Sequence, residues 1–178
     1  MPDIVPFSDI AHVFKQFEHT AWRLETQRGY ASDRNGQNWR RWQEGETLAY
    51  DPDHPWHANV RTQTESGKRF ERVRIVDDPP TEGQRFLLAS GNGNVEVGED
   101  IRNLSRADAD RHGLPDFDFW LFDSRLLARF RFADDGTTLG VELTEEPSAV
   151  LRGCQVRDIA WHYALRTADF QARVRSAT

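Results

Sequence analysis

The sequence predicts an α+β (or α/β) fold: a mixed sheet of five to six strands with an antiparallel meander, helices on at least one face and a C-terminal helix docked on it. Three observations carry this. Leu126–Phe132 alternates, with Ala128, Phe130 and Phe132 on one side and Arg129 and Arg131 on the other, as a pleated strand requires. Leu139–Leu143 alternates in the same way after Asp135-Gly136, a pair that supplies the positive φ of a tight hairpin. Phe119-Trp120-Leu121-Phe122 is apolar without alternation, which places it centrally, buried on both faces.

The other elements follow in order. Ser8 is the expected N-cap of a helix presenting Ile10, Val13, Phe14 and Phe17, with Phe7 as its staple. Ala21–Gln27 reads as a strand, with Trp22, Leu24 and Thr26 opposite Arg23, Glu25 and Gln27. Arg34-Asn35-Gly36 signals a turn, Trp39–Glu44 a short helix, and Asp51–Pro55 a loop. A helix from Trp56 to about Thr64 closes at Ser66-Gly67, and Lys68–Val76 is the next strand. Thr81 caps a helix to about Ala89, which Ser90-Gly91-Asn92-Gly93-Asn94 is expected to interrupt. A short strand at Ile101–Leu104 and a loop with a helical turn at Arg106–Gly113 precede the meander. Pro147 suits the first turn of the last helix, with Val150, Cys154, Ile159 and Trp161 on its apolar face. One domain over residues 1–178 is expected, ordered over about 7–165, with 166–178 a polar tail that frays.

Composition narrows the function classes. The net charge of −6 argues against general binding to a phosphate backbone, which needs clustered cations. One cysteine, Cys154, excludes an internal disulfide and a multi-cysteine zinc site. Met1–Ile10 has neither a basic n-region nor an apolar h-region, and no run is long enough to span a membrane, so a cytoplasmic protein is expected. Six Trp and eleven Phe make aromatic rings a main source of core volume.

The element order over about residues 56–143 resembles one half of a phospholipase-D-like unit, through Gly98-Glu99-Asp100-Ile101-Arg102 and Leu121-Phe122-Asp123-Ser124. That superfamily's active site is His-x-Lys followed by Asp. No His-x-Lys occurs here, and the lysines are Lys15 and Lys68 alone, so the resemblance implies a catalytically silent copy. Over about residues 7–162 the chain also resembles a family of actinobacterial, Streptomyces-type proteins of unknown function, often encoded beside helix-turn-helix regulators. His19–Thr26, Glu71–Val76, Gly98–Arg102 and Phe119–Ser124 carry that resemblance. It implies a cytoplasmic protein with a helix-turn-helix regulator as partner and transfers no catalytic residue.

The candidate sites each have a plainer reading. Arg23 and Glu25 share a strand face, as do Arg72 and Arg74; the four form either a cross-strand ion-pair lattice or, the arginines joined by Arg102, an anion pocket. Glu25, Asp118 and Asp123 are the acid–base candidates, although Asp116 and Asp118 also fit the polar entry to a strand, and Glu96, Glu99 and Asp100 form a second acidic group. His54 and His57 mimic a metal pair, but Pro52 and Pro55 favour a solvated loop. His162 and Cys154 read as packing groups. Trp39, Trp42 and Trp56 are interaction-surface candidates, and Trp39-Arg40-Arg41-Trp42 is the one stretch with nucleic-acid character. No dinucleotide fingerprint, P-loop or nucleophile elbow is present, so neither cofactor nor metal is expected. The leading expectation is a non-enzymatic regulatory or interaction protein. The alternative is a binding protein or phosphodiesterase-like hydrolase with an Arg-lined pocket for an anionic small molecule.

Overall fold

A computed structural model describes residues 3–176. One mixed sheet of eight strands organises them, in the order β1-β7-β6-β5-β2-β3-β4-β8. The strands are β1 (Ile4–Val5), β2 (Thr20–Glu25), β3 (Arg69–Val76), β4 (Asp100–Ser105), β5 (Phe119–Phe122), β6 (Leu126–Phe132), β7 (Thr138–Thr144) and β8 (Leu165–Arg166). The strands beyond the expected five to six are the edges β1 and β8, of two residues each, too short to leave a periodic signal. β2, β3 and β4 run parallel and every other pairing is antiparallel. β2 is therefore the hinge of the topology, parallel to β3 on one side and antiparallel to β5 on the other.

The meander forms where the alternation places it. The β5–β6 turn puts Asp123 and Ser124 at φ 53° and 54°, and Gly136 carries φ 82° in the next turn. All four residues of β5 are buried. On the outer strand only part of the expected apolar face is covered: Val141, paired with Phe130 and Val5, is buried, whereas Leu139 and Leu143 are exposed beyond the reach of β1.

Helices cover both faces. They are α1 (Val13–Gln16), α2 (Ala31–Arg34), α3 (Gln37–Gln43), α4 (Pro55–Glu65), α5 (Glu82–Glu96), α6 (Arg106–Arg111), α7 (Pro147–Tyr163) and α8 (Thr167–Ser176). On one face α6 and α7 bring Ala109, Val150, Val156 and Ala160 against Trp22, Leu24, Val73, Phe119 and Leu121. α7 starts at Pro147 because Glu146 accepts the Ser148 and Ala149 backbone N–H groups. On the other face Phe14, Phe17 and Val60 pack on Phe70, Trp120, Phe122 and Phe130, with edge-on ring contacts such as Phe14–Trp120 at 5.0 Å.

Four local expectations are corrected. Ser8 caps nothing: it lies inside a 3-10 turn, Phe7–Ile10, that follows Pro6. α5, held at its start by a Thr81–Gln84 capping box, does not stop at Ala89 but runs on to Glu96. Its glycines serve close approach, since a Cβ on Gly91 would lie 2.8 Å from Arg74 Nη1 and one on Gly93 2.8 Å from the Ala49 carbonyl oxygen. Arg106–Arg111 is a helix, capped by Ser105, where a loop with one turn was expected. The polar tail forms α8, anchored by buried Phe170, with residues 177–178 outside the described range.

Candidate functional site: a polar cavity on one face of the sheet

Alternation in β2 and β3 sends Trp22, Leu24, Val73 and Ile75 to the α7 side, and Arg23, Glu25, Arg72 and Arg74 to the other. Both strands are internal and both faces are roofed, so the polar set is buried instead of solvated. Register places Arg23 beside Arg72 and Glu25 beside Arg74. The like charges of Arg23 and Arg72 thus stand side by side, and the neighbouring carboxylates balance them. Glu25 accepts from Arg72 Nη1 at 2.6 Å and from Arg74 Nε at 2.6 Å. Arg72 Nε also donates to Glu99 at 2.7 Å, and Trp56 Nε1 donates to the other oxygen of Glu99 at 3.2 Å. Arg74 Nη1 donates to the Leu87 carbonyl, an approach that Gly91 permits.

A second knot lies at the entry to β5. Asp118, 0% exposed, accepts from Thr26 N at 2.7 Å, Thr26 Oγ1 at 2.8 Å and Tyr30 Oη at 2.5 Å, and Arg23 Nη2 reaches it at 3.3 Å. The Arg23 guanidinium rests over Phe130, 4.7 Å from the ring centre. Burial opposes the Glu25 charge, but Arg72, Arg74 and Arg23 outweigh it and hold the carboxyl well below the usual range. Burial and the neighbouring Asp118 and Glu25 charges push the Tyr30 hydroxyl well above its usual value, so it stays a donor.

This polar floor opens into a cavity of about 730 Å³, roofed by α2, α3, α5 and the start of α4. Four of its lining groups have buried polar atoms without hydrogen-bond partners: Arg23 Nε, Asp33 Oδ2, His54 Nδ1 and Trp120 Nε1. Arg23 Nε has only a 3.5 Å approach to Glu25. Native proteins rarely leave such atoms unpaired; each of the four is itself closed to solvent, although its side chain lines the cavity. Burial, helped by the Glu25 charge, raises Asp33 to about 6 against the pull of Arg74, Arg23 and Arg72. Burial and His57 lower His54, which is therefore neutral at neutral pH.

Of the residues singled out from sequence, Arg23, Glu25, Arg72, Arg74 and Trp56 line the cavity, and Asp118 lies directly behind Arg23. The other candidates lie elsewhere. Arg102 projects to the opposite side, where it pairs with Asp100 and covers Trp161 at 3.8 Å. Asp123 accepts the Glu18, His19 and Thr20 N–H groups at 2.7–2.9 Å and so ties β5 to the chain entering β2. Trp39 is buried and Trp42 half-buried, both packed on Phe86 at 5.0 and 5.7 Å rather than forming an exposed patch. The solvated loop expected at His54 and His57 is also corrected. Pro55 starts α4, and His57 is buried between the Asp51 backbone and Asn94. Among the described residues no group of His, Cys, Asp or Glu is arranged to hold a metal.

Sequence reasoning missed Asp33 and Tyr30 and did not single out Glu99 from its acidic group. Tyr30, the residue that precedes α2, and Asp33 in its first turn are three apart, a spacing visible in the sequence but without an apolar pattern to mark it. Glu99 follows Gly98, whose φ of 107° bends the chain inward under Thr64.

Residues 8–172 match the family model described as Domain of unknown function (DUF6879), and the chain belongs to that family. No curated protein matches the sequence. Among solved structures the fold is similar to Nuc from Salmonella typhimurium, a phospholipase D family member. The TM-score is 0.52 at 10% identity, over 89% of this chain and 88% of that one. It is similar in the same degree to NucT from Helicobacter pylori, with TM-score 0.52 and 6% identity over 89% of each chain. The phospholipase-D-like fold expected from the element order is thus present. Lys15 and Lys68, the lysines of the chain, line no part of the cavity; Lys68 Nζ is bound to the Lys15 carbonyl and Gln63. Among the described residues no helix is long and apolar enough to cross a membrane.

Proposed function

We propose that this domain is a non-enzymatic binding module on a phospholipase-D-like scaffold, and that the cavity over Arg23, Glu25, Arg72 and Arg74 receives a small polar molecule. The observation that carries the reading is a cavity of about 730 Å³ over a buried polar floor, ringed by four side chains that each hold an unpartnered polar atom, a volume within the ordinary range of small-molecule sites. The chain lacks the His-x-Lys pair that the superfamily uses on phosphodiesters, which favours binding over turnover. The output is regulatory, passed to a protein partner, with a helix-turn-helix regulator as the first candidate; the family resemblance read from the sequence supports that part.

The arginines support a structural role for the ion-pair lattice more than an anion pocket. Each already has a buried carboxylate, and a guest anion would have to displace it. The test is a thermal-shift titration with the small-molecule fraction of a cell lysate, on the wild type and on Ser32→Trp, a change at the cavity wall. Stabilisation of the wild type alone is expected, with no release of nitrophenol from bis-para-nitrophenyl phosphate. Turnover that Glu25→Gln or Asp118→Asn abolishes would overturn the non-enzymatic reading.

A further inference from the structure

The charges around the cavity narrow the class of guest. We propose that the cavity takes a compact organic cation, an amine or amidine on an apolar body, whose positive end meets the Asp33 carboxylate. This deepens the binding reading above and rests on it.

The positive charges of the site are already matched. Arg72 and Arg74 share Glu25, Arg72 also holds Glu99, Arg23 reaches Asp118, and at the rim Arg41 pairs with Glu46 at 2.7 Å. Two acids of the lining, the exposed Asp51 and the more buried Asp33, are left over. Asp33 makes no ion pair among the described residues, and its Oδ2 is buried without a hydrogen bond. A guest that brings a positive charge beside that carboxylate balances it without disturbing the lattice. A guest that brings a negative charge adds to the unmatched acid.

The walls agree with that polarity. Phe7, Trp56, Phe86 and Phe132 line the cavity, and aromatic faces stabilise a cation as well as an apolar body. Arg23 Nε and Trp120 Nε1 are donors without a hydrogen bond, so the polar wall also suits a guest that carries a hydroxyl or carbonyl oxygen. His54, held neutral by burial and by His57, adds no opposing charge. The groups acting on Asp33 are Glu25 and Arg23 from β2 and Arg72 and Arg74 from β3. They leave it ionised over most of its population at neutral pH and protonated below about 6.

The experiment is a ligand-observed NMR screen of the full chain. The probes are aryl-alkyl amines and amidines, their carboxylate isosteres and their neutral alcohol isosteres, matched in size. Hits from the cationic third are expected, competing with one another for one site. Their affinity should rise about ten-fold from pH 5 to pH 7, as Asp33 gains its charge. Asp33→Asn, which keeps shape and folding, should weaken them at least ten-fold and flatten the pH dependence. Asp33→Glu should restore part of the affinity. Carboxylate or neutral hits that Ser32→Trp removes would overturn the cation assignment and leave the binding reading standing. An absence of hits in all three sets would remove both. Cationic hits unaffected by Asp33→Asn would overturn the role of Asp33.

Discussion

Replacing Glu25 with glutamine preserves the outline of the side chain and removes one buried charge. In the native arrangement its two oxygens each accept a 2.6 Å charge-assisted bond, from Arg72 and Arg74. Glutamine retains one accepting oxygen and turns an amide N–H₂ toward the other guanidinium. Arg72 keeps Glu99, but Arg74 is left with the Leu87 carbonyl alone. Breaking a buried pair from one side costs about 3–5 kcal/mol, because the abandoned charge stays desolvated. For a chain of this length each kcal/mol lowers the melting temperature by about 2–4 °C, so a fall of roughly 6–20 °C is expected. Calorimetry and urea titration with an unchanged slope would measure it. The pH dependence gives an independent check. A carboxyl whose pKa is depressed on folding contributes stability that is complete above its unfolded value of about 4.3 and is lost as the pH falls through the folded value. The gap between wild type and Glu25→Gln should therefore narrow below about pH 4. A loss under about 1 kcal/mol at neutral pH, the range of an exposed pair, would refute the buried-lattice reasoning.

Other substitutions should separate lattice, cavity and frame. Asp33→Asn is expected to raise stability at pH 7 by about 1–2 kcal/mol, a figure discounted for partial exposure. The raised folded pKa makes the charge costly only above the unfolded value near 3.9, so the gain should grow from pH 4 through about 6 and vanish in acid, as melts across that range would show. Gly91→Ala puts a methyl group 2.8 Å from Arg74 Nη1 and should cost about 1–3 kcal/mol by urea titration, with looser Arg74 contacts. Asp123→Ala removes the acceptor of three backbone N–H groups; a loss of about 2 kcal/mol with ligand binding unchanged is expected from paired melts and titrations.

Much of the frame is legible in the chain. Asp123-Ser124 and Asp135-Gly136 announce their turns, and Phe119–Phe122 announces a strand buried on both sides. Arg23, Glu25, Arg72 and Arg74 were readable as one face. Their burial was not, because alternation shows which side a residue takes but not whether a helix later covers that side. Gly91 and Gly93 misled for a related reason. Glycine lowers helix propensity locally, yet here tertiary contact with Arg74 and Ala49 demands it within a helix. Asp33 left no signal, since nothing local distinguishes an unpaired buried carboxylate from a solvated one on a four-residue helix.

The central claim, that a guest occupies the cavity these groups ring, is tested most directly by the indole N–H resonances of the six tryptophans. Trp120 Nε1 and Trp22 Nε1 are both buried without partners, but Trp22 faces α7 on the opposite side of the sheet. Titration with the small-molecule fraction should shift the Trp120 indole proton and leave that of Trp22 in place. A Trp120 signal that stays fixed while the protein is saturated, or one that moves together with Trp22, would contradict the account.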